Sequence, residues 1–157
     1  MNKLSNEKFN PNEVVEDVIN MIKKEAAKKN ISIEVEKKFN GLLVGDKDKF
    51  YQVVLNLTTN SIKYSNENGN VKIFTNKSKD KFVLMVKDDG IGIPKEDLPR
   101  IFERFYIVDK SRTSKSTGLG LAIVKHIVKL FNGEIFVESE VGKGSKFTVI
   151  SKNVYCE

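Results

Sequence analysis

From Pro11 onward the apolar residues Val14, Val15, Val18, Ile19 and Ile22 recur at three- and four-residue intervals, which is the spacing of one helix face. Pro11 followed by Asn12-Glu13 suits a helix start, so the pattern predicts a helix over about 11–29 that Asn30 ends. Ile31, Ile33 and Val35, and at longer range Phe39, alternate with polar residues and predict a half-buried strand. Leu42-Leu43-Val44 before Gly45-Asp46 predicts a shorter one. A stronger helix begins at Asp46: Phe50, Val53, Val54, Leu57, Ser61 and Tyr64 form one stripe, and Ser65-Asn66-Glu67-Asn68-Gly69 stops it.

Val71, Ile73 and Thr75, then Phe82, Leu84 and Val86, predict two strands of a hairpin that turns at 77–80. Residues 88–117 hold Gly90, Gly92, Pro94, Pro99, an aromatic group (Phe102, Phe105, Tyr106) and a polar run. A connection this long inside a compact domain is usually a functional lid or is disordered. The stretch 119–131 is apolar on nearly every side, which predicts a buried helix stopped by Asn132-Gly133. Two last strands, about 134–139 and 145–150, flank the turn at 141–144. The order of helix, strands, helix, hairpin, lid, helix and hairpin predicts a two-layer α/β sandwich, with about three helices covering one face of a mixed sheet, as a single domain over 1–157.

Composition narrows the class. A chain of 157 residues with 39% hydrophobic content and a single cysteine suits one domain with an ordinary core. Cys156 has no partner, which excludes a disulfide scaffold and fits a reducing compartment. The longest apolar runs fall far below the roughly 20 residues a membrane helix needs, and MNKLSNEKF has no signal-peptide core, so the expectation is a cytoplasmic domain that makes no membrane contact. With 27 Lys+Arg against 21 Asp+Glu the net charge is +6. That charge fits a nucleic-acid surface, a polyphosphate site or a lysine-rich solvated exterior. Acidic residues interleaved along the whole chain favour the solvated exterior over nucleic acid.

Three short segments carry candidate chemistry. At about 100° per residue, Asn60 lies roughly 40° and Lys63 roughly −20° from Asn56 on the second helix, beside the apolar stripe. Carboxamide oxygens suit Mg²⁺, and a lysine beside them suits the phosphates that this ion accompanies; the plain alternative is a solvated polar edge. Asp88-Asp89-Gly90-Ile91-Gly92-Ile93 follows a predicted strand. Its glycines allow a sharp turn and close approach of a ligand, and its first Asp can accept from an exocyclic amine; the plain alternative is an Asp-Gly turn. Ser116-Thr117-Gly118-Leu119-Gly120-Leu121 leads into the third helix, whose free N–H groups suit an anion; the plain alternative is a glycine-softened helix start.

Better-known phosphate motifs do not fit. Gly142-Lys143-Gly144-Ser145 lacks P-loop spacing, and neither glycine pair is completed by a third glycine. His126, the only histidine, falls inside the third predicted helix and reads as a packed or surface imidazole. One His and one remote Cys do not make a zinc site.

In order, NLTTNSIKYS (56–65), DDGIGI (88–93), IFERFY (101–106) and TGLGLAIVK (117–125) resemble the N, G1, F and G2 boxes of the sensor histidine kinase ATP-binding domain. The likeness covers roughly 5–151, including ESEVGKGSKFTV at 138–149. It implies the same sandwich fold, which gyrase-type and mismatch-repair ATPases share, with a lid over about 94–117. It implies ATP and Mg²⁺ as cofactors: Asn60 on the metal, Asn56 and Lys63 by the phosphates, and Tyr64 near the nucleoside. Asp88 would receive the adenine amino group, while Gly90, Gly92 and Ile93 shape the base pocket. Phe102 and Phe105 would anchor the lid, Lys110 and Arg112 would be its cations, and Thr117, Gly118, Leu119, Gly120 and Leu121 would face the triphosphate. Thr148 would complete the adenine network.

The resemblance further implies a protein-histidine kinase of two-component signalling. Its phosphoacceptor histidine would lie on a separate dimerisation domain absent from this chain, and a response regulator would act downstream. The isolated domain would be a monomer, and its parent protein membrane-anchored. His126 lacks the acceptor context. Related hydrolysing ATPases carry a glutamate base where this chain has Asn56, and an amide cannot take the proton of water. That substitution argues against a hydrolysing ATPase or an anti-sigma-type serine kinase on the same fold. Two departures stand out: Ile107 occupies a slot that often holds Arg, and Ser116 replaces the usual first glycine of the G2 box.

Overall fold

The computed structural model describes residues 5–108 and 120–156. Its elements in chain order are β1 (Glu7–Phe9), α1 (Pro11–Lys28), β2 (Ser32–Lys37), β3 (Leu43–Gly45), α2 (Lys47–Tyr64), β4 (Asn70–Ser78), β5 (Lys81–Asp88), a single 3-10 turn (Leu98–Arg100), α3 (Gly120–Leu130), β6 (Gly133–Glu140) and β7 (Gly144–Ser151). Five strands form one mixed sheet in the order β2-β4-β5-β7-β6. The β2–β4 pair is parallel and the other neighbours are antiparallel. Within the sheet, Asp88 at the end of β5 lies opposite Ser145 at the start of β7. That pair of strand ends is where the site is built.

The helix boundaries follow local chemistry. The Asn10 side chain accepts from the Asn12 N–H at 2.9 Å ahead of Pro11, and Asn30 leaves α1 with φ +52°, the left-handed conformation that asparagine tolerates best after glycine. Asp46 caps α2 by accepting from the Lys49 N–H at 3.1 Å. Helix α2 packs between α1 and α3, so its apolar stripe is fully covered: Phe50, Val53, Val54 and Leu57 are buried. Phe50 meets the sheet through Phe82 (centroids 5.7 Å apart), while Phe9 and Phe131 close on it from the sides at 5.4 and 6.3 Å. Such ring contacts add to the area each ring buries. The outcome is a helix whose first half is core and whose last two turns reach the sheet's open end.

The fold matches the expected sandwich, with three differences in detail. Strand β1, which pairs with β3 as a separate ribbon, carries one apolar residue in three and left no periodicity to read. Helix α3 is amphipathic instead of buried all round: Val124, Ile127 and Val128 are buried, whereas Lys125, His126, Lys129 and Leu130 are exposed. Among the described residues it packs mainly on α2 and β6. Phe39 lies beyond β2 and is buried edge-on against Phe82 at 4.9 Å.

Candidate functional site

At the end of α2 nearest Asp88 the elements enclose a cavity of about 280 Å³. One wall is the polar edge of α2: Asn56, Thr59, Asn60, Lys63 and Tyr64. The floor and far wall come from the strand ends and the loop between them, through Asp88, Ile91, Gly92, Ile93 and Ser145. The third side is Ile101, Tyr106, Ile107 and Val108 with Gly120 and Leu121 at the start of α3. Residues that lie far apart in sequence therefore face one space, a buried carboxylate at one place and two carboxamides with an amine at another.

Asp88 is only 4% exposed. Burial pushes its pKa above the ordinary aspartate value, opposed by N–H groups of Gly90 and Ser145 and by the nearby Ser61 hydroxyl. The Gly90 N–H donates to Oδ1 at 2.9 Å. Ser61 is fully buried, and its hydroxyl makes no hydrogen bond of full geometry among the described residues. Burial lowers the Lys63 pKa from the ordinary lysine value, and its amine stands 5.5 Å from the Tyr64 ring centroid. Asn56 Nδ2 donates to the Gly120 carbonyl at 3.3 Å and so ties α2 to the first residue of α3.

The glycines of the 88–93 loop serve the backbone more than the cavity. A Cβ on Gly90 would lie 2.2 Å from the Tyr64 carbonyl oxygen, and the next residue, Ile91, donates its N–H to that oxygen at 3.1 Å. Gly90 thus lets the loop dock on the end of α2 and does not itself line the cavity. Gly92 does line it, at φ +75°, and a Cβ there would lie 2.1 Å from the Glu140 carbonyl. Both positions need a missing side chain, because protein backbone closely approaches each of them.

Beyond the loop, Phe102 packs edge-on against Phe147 with centroids 6.4 Å apart, and the Lys125 amine lies 5.5 Å from its ring. Phe105 does not share that role. It is 71% exposed at φ +66° and stands outside the cavity. The chain turns outward at Phe105 and returns at Tyr106, whose hydroxyl donates to Asp97 while Arg100 stacks over its ring at 4.4 Å. Arg100 also pairs with Glu103 at 3.1 Å.

Thr148 is the other displaced residue. Strand alternation sends the buried Ser145, Phe147 and Val149 to the helix side of β7 and Thr148 to the opposite face, so Ser145 lines the cavity and Thr148 does not. Ser145, Thr59, Ile91, Ile101, Tyr106, Ile107 and Val108 were not foreseen. For Ser145 the signal was available, since it is in phase with Phe147 and Val149. Lys110, Arg112, Thr117, Gly118 and Leu119 lie outside the described residues.

A mixed sheet covered by three helices, with a cavity between a helix edge and an Asp-Gly loop, is the architecture of one ATPase class. Residues 45–153 match the family described as "Histidine kinase-, DNA gyrase B-, and HSP90-like ATPase", and the chain belongs to that family. It is 48% identical to the sensor histidine kinase WalK of Bacillus subtilis over 107 residues, which is 66% of this chain and 18% of WalK. Among solved structures it is similar to the catalytic domain of histidine kinase ThkA (TM-score 0.84, 28% identity, 95% of this chain and 96% of that one). ThkA has also been solved in complex with the response regulator TrrA (TM-score 0.80, 27% identity, 96% and 42% covered). Full-length ShkA in complex with AMPPNP gives a TM-score of 0.87 at 25% identity, with 99% of this chain and 32% of ShkA covered. The domain is of the histidine kinase catalytic type, and it spans less than a fifth of WalK. Among the described residues, no helix is long and apolar enough to cross a membrane.

Proposed function

We propose that this chain binds Mg-ATP in the cavity and donates the γ-phosphate to a histidine on a separate helical dimerisation domain, from which a response regulator then takes it. One observation carries the reading: the buried Asp88 carboxylate and the Asn56-Asn60-Lys63 edge of α2 wall the same cavity. Asp88 would accept from the adenine amine against the apolar Ile91 and Ile93, while the α2 edge would meet the phosphates. The AMPPNP of ShkA and the TrrA complex of ThkA support the ligand and the partner by analogy.

The donor set fits Mg²⁺. The ion is commonly held by one or two protein oxygens with the rest supplied by phosphate and water, and Asn60 would provide its amide oxygen from the cavity wall. When bound, the ion would offset phosphate charge. Asn56 has no basic group to activate water, and its amide is engaged with Gly120. The γ-phosphate would therefore be kept for an incoming nucleophile, with positioning and charge neutralisation as the chain's contribution.

The decisive experiment mixes this chain with a histidine-bearing dimerisation domain from a sensor kinase and γ-labelled ATP. The expected product is acid-labile label on the helical partner. Acid-stable label, or release of free phosphate alone, would overturn the reading.

A further inference from the structure

Ser139 on β6 contacts the cavity walls without being one of the residues that line it. Its hydroxyl oxygen lies 2.7 Å from the Ile93 nitrogen, 3.0 Å from the Gly144 carbonyl oxygen and 2.8 Å from the Ser145 hydroxyl. A hydroxyl has one proton to give and two lone pairs to accept with. The Ile93 N–H can only donate and the Gly144 carbonyl can only accept. Once the Ser139 proton is committed to Gly144, the contact with Ser145 is one that Ser139 must accept.

The Ser145 proton is then directed at Ser139, and Ser145 turns only lone pairs to the cavity that it lines. Its register partner Asp88, when ionised, is likewise an acceptor only. Two acceptors side by side suit the two N–H bonds of one exocyclic amine. A carbonyl oxygen at the same place would set lone pairs against lone pairs.

We propose that Ser139 is a positioning residue for base selection: by fixing the direction of the Ser145 hydroxyl, it makes the cavity read an exocyclic amine and reject a carbonyl. This rests on the nucleotide reading given above. The positioning acts through Ser145, because Ser139 holds Ile93 by its backbone whatever base is present.

Titration calorimetry of the full chain with Mg-ADP and Mg-IDP, whose base carries a carbonyl in place of the amine, tests it. Wild type should prefer ADP. Ser139→Ala should cut the ADP-to-IDP affinity ratio about tenfold, the scale of one hydrogen bond, and Ser139→Thr, which keeps the hydroxyl, should restore it. With Ser145→Ala as background, adding Ser139→Ala should leave the ratio unchanged. An unchanged ratio in the single variant, or an equal drop without Ser145, would overturn the assignment while leaving the nucleotide site standing. Should Ser139→Ala not fold, Ser139→Cys replaces it with a weak hydrogen-bonding group of similar size and reads the same ratio. If wild type binds neither nucleotide, the site reading falls and this inference falls with it.

Discussion

The Lys29 amine, at the end of α1, lies 2.7 Å from the Ser65 carbonyl oxygen at the end of α2 and reaches those of Ile62 and Lys63 at 2.9 and 3.0 Å. These carbonyls belong to the terminal turn, where a helix lacks intrahelical donors and carries its negative dipole end. One ammonium therefore caps the turn that carries Lys63 and Tyr64 into the cavity wall. Lys29→Met should lower stability by about 1–3 kcal/mol, the scale of charge-assisted hydrogen bonds, seen as a lower urea midpoint at unchanged slope. Nucleotide affinity should fall with it, because the Asp-Gly loop docks on that same turn.

Asp88 sets a pH dependence. Its folded pKa is raised by burial, so between the unfolded value near 3.8 and the raised folded value the native state holds more protons than the unfolded one. Its contribution to stability therefore falls as pH rises through that window. A ligand amine needs the ionised carboxylate, so nucleotide affinity should fall as pH drops through the raised pKa, with net proton release on binding in that range. Calorimetry in buffers of different ionisation enthalpy measures the release. Asp88→Asn should abolish it.

Gly90 and Gly120 should respond in opposite ways to the same substitution. An alanine Cβ at Gly90 meets the Tyr64 carbonyl at 2.2 Å, whereas at Gly120 none of the described residues lies within 4 Å. Gly90→Ala should cost about 1–3 kcal/mol through overpacking. Gly120→Ala should leave stability unchanged or raise it by up to about 1 kcal/mol, since alanine favours the helix. Thermal melts of the two variants give the comparison, and nucleotide titration should show Gly120→Ala weakened if the phosphates approach the start of α3.

Asn60→Ala should remove the Mg²⁺-dependent part of nucleotide affinity and leave affinity in chelator nearly unchanged. A loss of equal size in both conditions would assign Asn60 a role in packing instead.

What the sequence made legible was whatever local pattern encodes. The stripe of α2 and its polar edge follow from 3.6-residue periodicity, and Asp88, Gly90 and Gly92 stand out as a strand end running into a turn. Less legible was anything set by how strands meet. The parity of β7 decides between Ser145 and Thr148, and the register with Asp88 makes that choice matter. The aromatic cluster of 102–106 gave no indication that Phe102 would turn inward and Phe105 outward, because that depends on a backbone reversal. Ile101, Ile107 and Val108 join the wall beside Phe102, which packs on Phe147, a contact between distant segments that no local pattern encodes. In β1, one apolar side chain in three residues cannot specify a strand; its pairing with β3 does.

The continuity of α2 has a consequence for how the cavity accommodates ligands. Phe50, Val54 and Leu57 fix the helix in the hydrophobic interior, and within one or two turns the same rigid rod presents Asn60 and Lys63 to the opening. No break separates the two parts, so this wall cannot yield without disturbing the interior. Differences in ligand size or charge must be absorbed across the gap, by the chain from Ile101 to Val108 and the start of α3. One side of the cavity acts as a fixed gauge, and adaptation is left to the other.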